Sequence, residues 1–298
     1  MENQRMENTD LETRIGQRIM VLKRQGEFEP MVAWLGDLLE QDSIEDGHFR
    51  ARLWTELGLA HLALDRPSRA RSCYELALVS NPRHINALYN LGSLAMEGQD
   101  HAEARDHFTQ VLKLKPDHAG ALYNLALCHV LAQELDRAAP LFIRVTQLNS
   151  QYMGAFYWAG ESLLSQEDYG VALDYFARAV ALDPHHPGSA RGLAICQLKN
   201  GNPRAALETC QGLLMATGPE PTALKIMGDA QLAMDCPREA ALCHLDMVSL
   251  DPEASSFVIS RARELLKEAP ESAAPYAQRI IQDLPELEAG LKGVWGRE

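Results

Sequence analysis

The sequence predicts an all-α protein built from stacked antiparallel helix pairs, and three observations predict it. Alanine recurs at a fixed step: Ala70, Ala104, Ala138, Ala172, Ala206, Ala240 and Ala274 are each 34 residues apart. Within each interval the apolar residues fall on two stripes of helical period. The composition agrees, with 39 alanines among 298 residues and only 6% aromatic side chains, which favours closely packed helices over strands. At that alanine frequency six successive matches arise by chance about five times in a million, so the period is a real internal repeat.

Further columns keep the same step. Four residues after the alanines stand Tyr74, Phe108, Phe142 and Phe176, then Cys210 and His244. Twelve residues after them stand Pro82, Pro116, Ser150, Pro184, Gly218 and Pro252, residue types that end helices. Twelve residues before them stand Gly58, Gly92, Ala126, Gly160, Ala194 and Gly228.

One unit, Ile85 to His118, shows why the elements form. Leu88, Leu91, Gly92 and Ala95 follow the i, i+3, i+4, i+7 spacing of a helix with one buried stripe. Gly98-Gln99-Asp100 interrupts that helix. Ala104, Phe108, Val111 and Leu112 make the stripe of a second helix, which Pro116 closes. Small residues at Gly92 and Ala104 permit a close helix–helix approach, with Phe108 filling the space beside them. Such a hairpin cannot cover its own apolar faces, so neighbours must stack.

The pattern Trp54-x-x-Leu57-Gly58-x-x-His61, Ala70-x-x-x-Tyr74-x-x-Ala77, Pro82 resembles the tetratricopeptide repeat, with His61 where that family often has Tyr. The resemblance covers residues 51–254 as six units, 51–84, 85–118, 119–152, 153–186, 187–220 and 221–254. A degenerate unit is placed at 12–45 on Gly26, Phe28 and Leu38, with a short linker around Asp46 and Gly47. A degenerate seventh occupies 255–288, keeping Ala274, Leu265 and Ile281 without the aromatic. Residues 1–11 read as a polar tail and 289–298, with Trp295, as a cap or tail.

The resemblance implies a right-handed superhelical solenoid whose first helices line a concave, ligand-holding face. Residues off the buried stripes of those helices are the candidates: Tyr89, Asn90, Tyr123, Asn124, Tyr157, Trp158, Arg191 and Lys225. Tyr89, Tyr123 and Tyr157 form one column and Asn90 and Asn124 another. An Asn amide both donates and accepts, so it can pair with any peptide backbone, while Tyr and Trp add rigid apolar area with a polar tip. Consensus packing is the competing reading of the same residues. Family members that hold the C-terminal carboxylate of heat-shock chaperones use Lys and Asn on one first helix, Asn on the next, and Lys and Arg on the third. Thr55, Leu59, Asn90, Gly120 and Asn124 stand there instead, so only Asn90 matches and the charge that binds a carboxylate is missing.

Composition narrows the remaining function classes. With 41 acidic and 28 basic residues the formal charge is -13, which argues against nucleic acid or an anionic membrane as the main partner. No stretch has the length of a membrane span and the polar start is no secretory signal, so the expectation is a cytoplasmic protein. Cys73, Cys128, Cys196, Cys210, Cys236 and Cys243 form no CxxC pair and read as reduced, mostly buried thiols. His84, His118 and His186 recur at the last slot of their units, but neighbouring repeats sit too far apart to share one zinc. No nucleotide, hydrolase or metalloprotease motif is present, and neither cofactor nor metal is expected. The expectation is therefore a non-catalytic adaptor or assembly factor that binds a partner's segment in its groove, with a self-associating scaffold as the alternative. Five of the 20 glycines fall in 187–220, which predicts a flexible joint there.

Overall fold

A computed structural model describes the backbone of residues 2–41 and 44–291, and their side chains from Leu11 onward apart from 286, 289 and 290. Trp295 lies outside the described residues. Among these, every regular element is helical. The chain divides into two compact units, Met1–Arg144 and Val145–Glu298.

The first unit contains α1 (Glu2–Gln25), α2 (Phe28–Glu40), α3 (Gly47–Ala63), α4 (Pro67–Ser80), α5 (Ile85–Glu97), α6 (His101–Leu114), α7 (Ala119–Leu131) and most of α8 (Leu135–Leu148). Antiparallel partners α3–α4 and α5–α6 pack as hairpins, and each second helix also lies on the next first helix, α2 on α3, α4 on α5 and α6 on α7. The second unit continues through α9 (Met153–Ser165), α10 (Tyr169–Leu182), α11 (Pro187–Lys199), α12 (Pro203–Thr217), α13 (Pro221–Ala233) and α14 (Pro237–Leu250) in the same stacked pattern. It ends with α15 (Ser255–Glu268), α16 (Pro270–Asp283) and the single turn α17 (Glu288–Leu291).

The repeat columns are the core. Ala70, Ala104, Ala138, Ala172, Ala206 and Ala240 are all fully buried, as are Tyr74, Phe108, Phe142, Phe176, Cys210 and His244 one turn further on. The rings lie directly on the first helix of their own hairpin. A Cβ at Gly92 would stand 2.7 Å from the Phe108 ring, closer than carbon atoms approach without something shifting. Burying each such ring stabilises the hairpin by roughly 1.5–3 kcal/mol.

The turn between the two helices of a hairpin also repeats. Asp65, Gln99, Gln133, Glu167, Gly201 and Asp235 all have φ between 57° and 75°. The following residue donates its N–H five residues back, Asp100 to the Ala95 carbonyl at 2.8 Å and Asn202 to the Gln197 carbonyl at 2.9 Å. This is the closure in which a left-handed residue ends a helix, a place glycine fills without strain; here only the fifth turn of the series uses it, at Gly201.

Both ends depart from the regular frame. Helix α1 begins at Glu2, so most of the segment read as a polar tail is helical, and the first hairpin closes at Gly26 (φ 72°). Helix α3 starts at Gly47, capped by Asp46 accepting from the His48 N–H, so the residues read as a linker are the start of a helix one turn longer than its counterparts. At the other end a single residue, Ala269, joins α15 to α16, where the hairpins from α3–α4 to α13–α14 use three. The buried stripe of α16 therefore moves one residue off the 34-residue step: Ala273 and Ala277 are buried, while Ala274 is half-exposed. The aromatic missing from the expected column is supplied by Tyr276, fully buried, whose hydroxyl lies 2.6 Å from His244 Nδ1. Helix α16 rather than α15 makes the close backbone packing on α14.

The glycine-rich segment 187–220 has local reasons for most of its glycines. A Cβ at Gly192 would lie 2.4 Å from the Phe176 ring, and one at Gly188 2.9 Å from Tyr157. Gly201 and Gly218 have positive φ at helix ends, which leaves Gly212, with open space around it, as the one glycine with no such role.

Candidate functional site

The candidate column begins at Thr55 and continues through Tyr89, Tyr123, Tyr157, Arg191 and Lys225. Four of these side chains, Thr55, Tyr89, Tyr157 and Arg191, meet the residue 29 positions later, at the N-cap position of the next first helix. Thr55 Oγ1 stands 3.3 Å from His84 Nδ1. The Tyr89 ring lies 5.1 Å from His118, and in the second unit the Tyr157 ring lies 4.7 Å edge-on to His186. Arg191 donates to Glu220 at 2.6 Å. Lys225 is exposed, and its ammonium sits 4.5 Å over the Phe257 ring. At Thr55, Tyr89, Tyr157 and Arg191 the column read as ligand-facing thus fastens neighbouring repeats, while Lys225 leaves its charge in solvent.

The histidines at the last slot of their units cap helices. His84 Nδ1 accepts the Ala87 N–H at 3.3 Å, His118 Nδ1 accepts the Ala121 N–H at 3.1 Å, and His186 Nδ1 accepts the Ser189 N–H at 3.1 Å. An acceptor nitrogen must be unprotonated, and burial holds the His84 and His118 pKa values below the usual imidazole range. Among the described residues no group of three or more His, Cys, Asp or Glu is arranged to hold a metal. All six cysteines are free, and burial pushes the Cys73 thiol up to about 11 and those of Cys196 and Cys210 up to about 12.

The second column faces differently. Asn90 is half-buried and its amide makes no hydrogen bond among the described residues. Asn124 uses one donor, to Tyr89 Oη at 3.3 Å, which leaves its carbonyl oxygen open. Trp158 stands in the same column of the second unit, half-buried, with its ring 5.1 Å from Tyr157. Beside it Glu161 is held above the usual carboxylate range by burial, against the pull of Arg191. Tyr123 is half-buried with its ring edge-on to Phe142 at 5.5 Å.

The sequence does not signal one feature of this face. Helices α1 and α3 enclose a trough of about 340 Å³ floored by Ile19, Phe49 and Leu53 and flanked by Met20, Lys23 and Glu56, the last two ion-paired. Arg52 and Glu56 are visible as off-stripe residues of α3, but the facing wall belongs to α1, whose first half reads as a polar tail.

Comparison with known proteins decides the family. Models described as tetratricopeptide repeat match residues 55–116, 92–152 and 163–229, together more than half of the chain. The chain belongs to the tetratricopeptide-repeat family. This is a protein-interaction fold. Among solved structures of this fold, YrrB, described as a TPR protein with an unusual peptide-binding site, is 20% identical at a TM-score of 0.57, covering 64% of this chain and 95% of its own. A tetratricopeptide repeat protein from Parabacteroides merdae is 18% identical at a TM-score of 0.53, covering 88% and 98%. MamA from Desulfovibrio magneticus is 20% identical at 0.50, covering 56% and 94%. At these identities the likeness is one of fold. A search of curated protein sequences finds no match.

Proposed function

We propose that this tetratricopeptide-repeat protein is a non-catalytic adaptor or assembly factor that holds an extended segment of a partner protein against the faces of its first helices. The observation that carries the reading is the Asn90 amide, half-buried with no hydrogen bond among the described residues and followed one repeat later by Asn124 with an open carbonyl oxygen. Two amides at successive repeats suit the alternating donors and acceptors of a peptide backbone. In the second unit Trp158 and Lys225 supply an aromatic surface and an exposed cation. Tyr89, Tyr123, Tyr157 and Arg191 set the spacing of the helices that carry these groups. Six free thiols fit action in the cytoplasm, where thiols stay reduced.

Asn90→Ala combined with Asn124→Ala tests this. Affinity purification from cell extract, quantified by mass spectrometry against the wild type, should show the main partner lost from a variant with unchanged helical content. Equal recovery removes this face from consideration.

Self-association is the second reading. Leu11, Met20 and Val21 on α1 are each about half exposed, whereas a terminal repeat of a stable monomer is polar outside. Sedimentation velocity at two concentrations decides, since a monomer at both excludes a scaffold made of copies.

A further inference from the structure

A second groove lies on the side of the second helices in the first unit, with a volume of about 510 Å³. Val32 and Gly36 of α2 form one wall, Trp54 and His61 of α3 the floor, and Arg69 and Cys73 of α4 the other wall. Three properties separate it from an ordinary seam between helices. His61 is only 5% exposed, yet its Nδ1 is buried with no hydrogen-bond partner. Arg69 is exposed and makes no ion pair among the described residues, while its neighbour Arg66 is occupied by Glu29. Gly36 borders open space, for a Cβ built there meets nothing within 4 Å.

These features specify an occupant. The Trp54 floor and the Val32 wall accept one bulky apolar side chain. Arg69 on the α4 wall calls for a carboxylate, and the exposed Glu40 at the α2 wall turns that carboxylate toward α4. The Cys73 thiol is held protonated by burial, so the groove offers no thiolate for a metal. We infer that this groove is a second binding site, for a partner protein segment that seats one aromatic or large aliphatic side chain over Trp54 and places an acidic residue beside Arg69. It is independent of the Asn90 and Asn124 face.

The probe is a random dodecapeptide library displayed on phage and selected on the full chain, followed by fluorescence titration of the enriched peptides. Selected sequences should join a bulky apolar residue to an acidic one. Gly36→Leu extends a side chain into the groove from a position whose Cβ meets nothing within 4 Å and improves helix propensity, so it should lower affinity at least about tenfold in a chain no less stable than the wild type. Arg69→Glu should do the same, while Asn90→Ala with Asn124→Ala should leave these peptides bound. Enriched peptides that lack an acid, that bind Gly36→Leu equally well, or that fail to appear overturn the site. So does a Gly36→Leu change in sedimentation, which would assign the groove to a second copy of the chain.

Discussion

Acid should loosen this protein through its histidine caps. His84, His118 and His186 each accept a backbone N–H at the start of a first helix, which only an unprotonated nitrogen can do. Losing a side-chain cap costs about 1 kcal/mol, and an imidazolium at a helix N-terminus adds about 0.3–1 kcal/mol of repulsion from the helix dipole. The two caps whose pKa values burial lowers, His84 and His118, therefore put roughly 3–4 kcal/mol at stake, against a typical total of about 5–15 kcal/mol. The sign follows from proton uptake. Burial lowers the His84 and His118 pKa values in the folded chain, aided at His84 by Arg52 and His48 and at His118 by Lys115. The unfolded chain thus takes up protons first as pH falls below the ordinary value of 6.5, and stability is full above that pH and lost as pH drops through the folded values. The slope is at most about 1.4 kcal/mol per pH unit for each such histidine. His61 and His244, also held low by burial, act in the same direction. Urea unfolding followed by circular dichroism at pH 7.5, 6 and 5 measures the loss. Asparagine caps without titrating, so His84→Asn with His118→Asn should retain most of the neutral-pH stability and lose markedly less of it at pH 5. A double variant with the same pH dependence as the wild type refutes the capping argument.

Other expectations test the remaining packing. Gln99→Gly relieves a left-handed side chain at an exposed turn and should stabilise the chain by about 0.5–1 kcal/mol, while Gly201→Gln should cost a similar amount, both read from denaturant midpoints. Tyr276→Phe leaves the buried His244 Nδ1 without its partner and should destabilise the C-terminal hairpins by about 1–3 kcal/mol; a neutral result would mean the hydroxyl contributes nothing. Arg191 and Glu220 are each about a quarter to a third exposed, so a double-mutant cycle to alanine should return a coupling of about 0.5–1 kcal/mol that shrinks in high salt. Amide exchange decides the proposed joint at 187–220: with Gly188 and Gly192 seated against rings, α11 should exchange as slowly as α5, and faster exchange should be confined to α12 around Gly212.

The fold was legible because its signal is repeated. Each buried alanine, each ring one turn later and each glycine beneath a ring is weak evidence alone, but the 34-residue step multiplies them. Legibility failed where the step failed. The connection from α15 to α16 is two residues shorter while α15 is one residue longer than α13, a net shift of one that moves the buried stripe to Ala273, so the sequence column through Ala274 misses Tyr276 as the core aromatic. Helix α1 carries the buried residues Ile15, Ile19 and Leu22 in its second half, and its largely polar first half has no stripe to read. The capping histidines are legible as a recurring set but not as caps, since imidazole is uncommon among N-caps.

The candidate face was legible as a set of residues but not as a division of labour. A helical wheel separates buried from unburied positions on one helix; it cannot say that the next first helix lies against part of the unburied arc. That contact explains why one column changes chemistry freely, from a Thr–His hydrogen bond to Tyr–His ring contacts to an Arg–Glu ion pair: each pair needs only to complement itself across one junction. The adjoining column of Asn90 and Asn124 carries less of this constraint, for Asn90 meets no hydrogen-bonding partner and Asn124 gives up a single donor. Residue identity in the first column is answerable to the neighbouring repeat, and in the second it is free to answer to a ligand. Variants of the two columns should accordingly separate, the first acting on stability and the second on partner recovery.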